Sequence, residues 1–451
     1  MQVFNTVAQF LLSLTLLVAL HEWGHFYAAR LFKIRVDKFY VFFDFLFPLP
    51  NVLNFALFKK KIGDTEYGLG WFPLGGYVSI AGMVDETQDA AKLSEKPEPW
   101  EFRAKPAWQR LVVMLGGIIV NIIVGITIFS TLTFLYGDPF VSKAEANKFG
   151  IVAAELGKEV GFQSGDKILK INGKDFAQFN DVLKPSVLLG DETAFTVERN
   201  GLEKEITLPK TFLNELSKKE NKGRFIGLPS KFGVVEISKG TAAEAAGLKV
   251  GDVFTKVDST KISFYHEFQE ALQARKGKAA NFSVLRNGQE VILNGKVSAE
   301  GTFGFRAEML KTIKTDTIKY NLLGAIARGT EKAFDVFFTN LKGFGKIFKG
   351  QVDASKALSG PVGMAKNLFG AGVWDWVHFW EVTGLLSMAL AFMNLLPIPA
   401  LDGGHAVTLI WEMVTGRPVP LKVQEYLQQI GTFLILALTI YVFYVDIFVN
   451  K

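Results

Sequence analysis

A polytopic α-helical membrane protein, with four spans, two external β-rich domains and a membrane-associated β-hairpin loop, is what three features of the sequence predict. Four apolar segments have the length of a bilayer-crossing helix, at about 3–28, 110–136, 377–398 and 429–448. Between the second and third lies a long polar stretch that repeats itself. Inside the first sits His21-Glu22-Trp23-Gly24-His25, a set of ionisable groups where lipid makes them costly.

Composition narrows the function. Of 451 residues 49% are hydrophobic, and the formal charge is only +6. The basic residues cluster beside apolar runs, a pattern of headgroups and topology with no nucleic-acid signature. Absence of cysteine rules out disulfides and thiolate ligands, so a metal must be held by nitrogen and oxygen. The first apolar run is too long for a secretory signal and lacks a basic leader, so it is expected to remain in the mature protein.

Topology follows from charge. Arg30, Lys33, Arg35 and Lys38 follow the first span, while Arg103, Lys105 and Arg110 precede the second, which makes these ends cytoplasmic. Both termini and the repeated stretch then lie outside. The expected boundaries are 1–30 for the first span, 31–106 for an interfacial segment with a re-entrant β-loop at about 59–83, and 107–137 for the second span. Two β-rich domains at 138–222 and 223–305 precede amphipathic helices at 306–372, expected on the outer membrane surface unless they pack on the β-domains. The third span at 373–405, a cytoplasmic loop at 406–428 and the fourth span at 429–451 complete the chain.

Within the interfacial segment, Phe39 to Phe58 is rich in phenylalanine but broken by Asp44, Pro48 and Pro50, so it is expected to lie at the interface or re-enter. Tyr67 to Ile80, with Gly68, Gly70, Gly75 and Gly76, reads as a strand or hairpin approached closely by another backbone. Residues 84–105 read as a charged connector. The second span carries Gly116-Gly117, which invites close helix packing, and Asn121, whose amide suits either a helix-helix hydrogen bond or a site.

The duplication is direct. Gly161-Phe-Gln-Ser-Gly-Asp-Lys-Ile-Leu-Lys-Ile-Asn-Gly173 matches Gly247-Leu-Lys-Val-Gly-Asp-Val-Phe-Thr-Lys-Val-Asp-Ser259, and Phe195 to Glu203 matches Phe282 to Glu290 with Arg-Asn-Gly in both. Asn-Gly beside alternating apolar residues predicts a hairpin in each copy. The repeated pattern resembles PDZ domains, which capture extended peptides by strand addition.

His21 and His25 lie one helical turn apart and can share one metal ion, with Glu22 beside them. The third span runs into Asn394-Leu-Leu-Pro397-Ile-Pro-Ala-Leu-Asp402-Gly-Gly-His405, where two prolines break the helix and leave Asp402 near membrane depth. The sequence therefore predicts one zinc ion on His21, His25 and Asp402, with Glu22 as general base. His405 is a rival ligand, ranked behind Asp402. A peptide bond inside a membrane helix must be unwound before attack, so Gly68 and Gly70 of the glycine-rich strand, together with Asn394 and Pro397, are expected to hold the extended substrate.

These motifs together, HEWGH, the Pro73-Leu-Gly-Gly-Tyr-Val78 loop, the tandem PDZ-like domains and the segment from Asn394 to His405, resemble the bacterial site-2 proteases of the regulator-of-sigma-E-protease type along essentially the whole chain. The resemblance implies an inner-membrane zinc protease that cuts membrane-anchored anti-sigma factors after a first protease has trimmed their outer domain, with clearance of signal-peptide remnants as a second task. It implies that the PDZ pair acts as a size filter. Two departures stand out: Gly116-Gly117 precede Asn121 where the family usually has Gly-Pro, and the phenylalanine-rich connector is longer than usual. A membrane binding scaffold with peptide-capturing domains is the rival reading. A transporter would call for inverted repeats among the spans, which the sequence does not have.

Overall fold

The computed structural model describes residues 2–46, 53–73, 75–83, 96–188, 190, 192–217, 225–310, 312–350, 360–370 and 374–445. Pro48, Pro50, Leu74 and the 84–95 part of the charged connector lie outside the described residues. The chain forms two units, one of Met1–Asp138 with Lys319–Lys451 and one of Pro139–Ile318.

The first unit contains four helices long and apolar enough to cross a membrane, Val3–Leu31, Ala107–Tyr136, Trp376–Leu395 and Lys422–Tyr444. Its helices are α1 (Gln2–Leu31), α2 (Ala107–Tyr136), α3 (Leu322–Phe348), α4 (Pro361–Phe369), α5 (Trp376–Leu395), α6 (Asp402–Thr415) and α7 (Leu421–Tyr444). Local chemistry sets their ends. Gly137, at φ 74°, closes α2 by donating its N–H to Thr133 O. Asp375 caps α5 by accepting from the Val377 and His378 N–H groups. Leu396 is held extended before Pro397, so α5 stops there.

Between α1 and α2 the expected hairpin, formed by residues 56–70, is part of a larger four-stranded sheet. Strands β1 (Val36–Val41), β2 (Ala56–Ile62), β3 (Thr65–Gly70) and β4 (Tyr77–Ile80) lie in the order β2-β3-β1-β4. β1 runs parallel to β3 and antiparallel to β4. The phenylalanine-rich stretch thus supplies an inner strand, and Tyr40, Phe43, Phe45 and Tyr77 pack into a small core of their own.

Two further expectations change. The stretch 306–372 is not helical at its start, because Phe305–Leu310 is a strand. Its long helix α3 lies against α2 and α5, burying Ala325, Gly329 and Ala333, with Phe337 edge-on to Phe392 of α5. A Cβ on Gly329 would meet the Ser130 backbone at 2.4 Å, so small residues on the apolar face of this amphipathic helix let it lie close to α2. The segment 406–428 is likewise no plain loop: α6 runs through it to Thr415 and packs on α2, with Leu409 among Val113 and Met114, and α7 begins at Leu421.

In the second unit each copy of the repeat has its own hydrophobic core. In the first, Lys167–Ile171 pairs with Ala194–Arg199, which pairs with Leu202–Thr207. In the second, Val253–Val257, Ala279–Arg286 and Gln289–Lys296 repeat this order. A buried ion pair explains why the motifs recur together. Arg199 Nε and Nη2 grip both oxygens of Asp166 at 2.7 Å and Nη2 donates to Gly161 O at 2.8 Å. Arg286 does the same with Asp252 and Gly247 O. The copies diverge at the Asn172-Gly173 turn, where both residues have positive φ. In Asp258-Ser259 only Asp258 does.

Replacing Asp166 by alanine leaves the partly exposed Arg199 guanidinium without its buried partner and is expected to destabilise the first copy by about 1–3 kcal/mol, read as lower hydrogen-exchange protection over 167–171 and 194–207. In the second copy burial alone would raise the pKa of Asp252, but hydrogen bonds from Arg286 and the Lys249 N–H outweigh it and hold it below the ordinary value. A depressed native pKa stabilises above the unfolded value, about 4, and that stability is lost as pH falls through the native one. Exchange protection factors over 253–257 and 279–296, corrected for the intrinsic pH dependence of amide exchange, should therefore fall in acid, and Asp252→Asn should weaken that dependence.

Candidate active site

The site begins with the contact of α1 and α2. Gly24 and Gly116 face each other so closely that a Cβ on Gly116 would lie 2.5 Å from Gly24 O. One residue on, a Cβ on Gly117 would lie 2.5 Å from His21 Cε1 and from His25 Nε2. The Gly116-Gly117 pair therefore lets α2 lie directly on the two imidazoles. The turn after α5 then brings in Asp402, the first residue of α6.

His21 Nε2, His25 Nε2 and Asp402 Oδ2 form a near-equilateral triangle, with sides of 3.2, 3.3 and 3.3 Å. Both histidines are buried, and Asp402 Oδ2 is a buried oxygen that accepts no hydrogen bond. Zinc bonds of about 2.0–2.1 Å at tetrahedral angles separate ligand atoms by about 3.3–3.4 Å, so these residues fit the ion. Among the described residues this is the group of His, Asp and Glu whose ligand atoms converge. His405 stands outside it, on the cavity wall, hydrogen-bonded to Gln428.

α2 also holds the ring orientations. His25 Nδ1 lies 2.8 Å from Val113 O, so it donates there and leaves Nε2 free to bind metal. His21 Nδ1 lies 3.1 Å from the Asn121 side-chain amide. For His21 Nε2 to ligate, Nδ1 must carry the hydrogen and the amide must offer oxygen. Turning the amide over does this and gives Asn121 Oδ1, otherwise buried and unpaired, its partner. Asn121 therefore belongs to the site. Asn121→Leu is expected to weaken zinc binding 10–100-fold, measured by competition with a chelator, while Asn121→Asp should retain the metal.

The cavity over the triangle has a volume of about 370 Å³ and is lined by Glu22, Asn394 and His405, by Gly75 to Val78, and by apolar side chains including Val18, Met114 and Ile435. Asn394 Nδ2 reaches within 3.3 Å of His21 Nε2, which puts it at the metal position. The other expected substrate contacts do not hold. Gly68 and Gly70 lie in β3, which is paired on both sides by β2 and β1 and has no free edge. Their missing side chains make room for the Tyr40 ring, 2.2 Å from a Cβ on Gly68, and for Phe43 O, 2.1 Å from one on Gly70. Pro397 is exposed and is not part of the cavity wall. β4 is the strand that offers an open edge beside the cavity, and Phe43 joins its wall. Sequence reading missed Val113 O because any residue supplies a carbonyl; the Tyr67–Ile80 stretch expected to pair with substrate does contain β4, but that its open edge is at Tyr77–Ile80 depends on strand order, which is not local.

An HExxH helix and a distant aspartate that meet between bilayer-length helices define a metal-dependent peptidase built into a membrane protein. The chain belongs to peptidase family M50, whose sequence profile matches residues 9–438. It is 28% identical over 458 residues to the regulator of sigma E protease of Haemophilus influenzae, covering 98% of each chain. To regulator of sigma-E protease RseP of Escherichia coli it is 27% identical over 452 residues, with 96% of each chain covered. The same-named protein of Salmonella typhimurium is 27% identical, again over 96% of both. The resemblance drawn from the motifs holds, and the protein is an intramembrane zinc metalloprotease.

Proposed function

We propose that His21, His25 and Asp402 hold the zinc, that Glu22 is the catalytic base, and that the substrate is a single-span membrane protein of the anti-sigma type, cut within its span after its outer domain has been trimmed. The single observation that carries this reading is the triangle of ligand atoms opening onto a cavity beside a free strand edge. When bound, zinc supplies a Lewis acid that makes water more acidic and stabilises the oxyanion of the attacked carbonyl. Glu22 takes the proton from the attacking water and returns it to the departing amide nitrogen. Asn394 hydrogen-bonds the unwound backbone, and β4, in place of β3, pairs with it. Val18, Met114 and Ile435 face its apolar side chains.

The repeats at 138–222 and 223–305 act as PDZ domains on the outer side of a bacterial inner membrane, excluding substrates that keep a bulky outer domain, while the zinc site lies toward the cytoplasmic side. The duplicated cores with the same strand order and the same buried ion pair support this reading. The test offers the purified protein two versions of one single-span substrate, with and without a folded outer domain. Cleavage of the trimmed version alone is expected, and loss of that selectivity on deleting 139–318 would support the filter. Equal cleavage of both by the intact protein would refute it. Asn394→Leu should slow cleavage of the trimmed version, and an unchanged rate would remove Asn394 from substrate binding.

A further inference from the structure

Among the described residues the sheet of the first unit has two unpaired edges, β4 at the catalytic cavity and β2 at the opposite end of the strand order, outside the cavity lining. β2 reads Ala56-Leu-Phe-Lys-Lys-Lys-Ile62, and every residue from Leu57 onward is exposed. Leu57, Phe58 and Ile62 are 57–64% exposed, which water would penalise and lipid would not. Alternation puts Phe58, Lys60 and Ile62 on one face and Lys59 and Lys61 on the other, so cationic and apolar groups share one narrow strip. Among the described residues no carboxylate pairs with these three lysines.

The strip has a defined level. β2 turns through Gly63 into β3, where Thr65 donates to Val36 O at 2.7 Å and lies 3.4 Å from Arg30 Nη2. That contact ties the Lys61 end of β2 to Arg30 in the last turn of α1, just before Lys33 and Arg35. At about 3.3 Å per residue the three lysines lie within roughly 15 Å of this basic end, the level at which a span meets headgroups.

We infer that β2 is a binding site for the phosphate of anionic phospholipids, with Lys59, Lys60 and Lys61 on the headgroup and Leu57, Phe58 and Ile62 against acyl chain. An acidic peptide would satisfy the same charges, but segments flanking the cytoplasmic ends of spans are characteristically basic and would be repelled. A basic strip flanked by apolar side chains is the combination that binds anionic membrane surfaces, more weakly as salt rises.

The test is thermal unfolding of the full-length protein in neutral detergent, titrated separately with phosphatidylglycerol, phosphatidylcholine and inorganic phosphate. Phosphatidylglycerol should stabilise at a concentration about tenfold or more below that of phosphatidylcholine, and 0.5 M salt, roughly three times physiological strength, should erase the difference. The variant Lys59→Gln/Lys60→Gln/Lys61→Gln should lose the preference, and Lys59→Arg/Lys60→Arg/Lys61→Arg should keep it, which separates lost charge from a damaged strand. Equal response to both lipids, or a full preference in the glutamine variant, would overturn the site. So would inorganic phosphate matching phosphatidylglycerol, which would make it a free-phosphate site. Self-association of the glutamine variant with its lipid preference intact would show that the lysines merely guard a strand edge, and would also overturn it.

Discussion

Glu22→Gln should lower cleavage of a trimmed single-span substrate by about 10²–10⁴-fold while zinc content stays at one ion per chain. Glutamine keeps the shape of Glu22 on the cavity wall but cannot accept the proton of the attacking water. The ligand atoms belong to His21, His25 and Asp402, so the metal should remain. Metal analysis beside a cleavage assay checks both halves. Loss of zinc along with activity would make Glu22 part of the metal's support, and full activity with zinc bound would move the base elsewhere.

The second large effect belongs to a residue with no side chain. Gly117→Ala would push a methyl group to 2.5 Å from both imidazoles. Neither ring can swing away freely, since His25 is held on Val113 O and His21 on Asn121, both from the same helix. The ligand triangle must therefore open. Zinc affinity is expected to fall by at least the 10–100-fold typical of losing a supporting contact, and cleavage to fall with it. Gly116→Ala gives the contrast. Its methyl would meet Gly24 backbone, so it should spread α1 from α2 and destabilise the protein by about 1–3 kcal/mol, with thermal unfolding as the readout.

These two variants mark the limit of sequence reading. His21, Glu22, His25 and Asp402 were legible because each sits in a short pattern whose chemistry is local: one helical turn, or one proline-broken helix end. The four spans were legible for a similar reason, as apolar length alone identifies them. The sheet was not. Placing β1 between β3 and β4 depends on pairing Phe39 with Tyr67 and with Val78, which no local periodicity records. Gly68 and Gly70 did announce a close approach, but glycine cannot say what approaches, and it proved to be Tyr40 and Phe43. The amphipathic pattern of α3 was legible, but not that its apolar face, with Ala325, Gly329 and Ala333, covers α2 and α5, because a periodicity does not name its partner. The paired motifs of the two repeats announced hairpins, but not that Arg199 and Arg286 close back on Asp166 and Asp252.

The proposed zinc ligands come from opposite ends of the chain, His21 and His25 from the first helix and Asp402 from the sixth of the first unit. During synthesis the histidines are made 377 residues before the aspartate. At about 5–20 residues per second this is roughly 20–75 s in which the pair has no carboxylate to complete it. A nascent chain thus carries an unfinished centre past the membrane proteins inserted beside it. The enzyme becomes competent to cut only after its second unit has been made and its last spans are arriving.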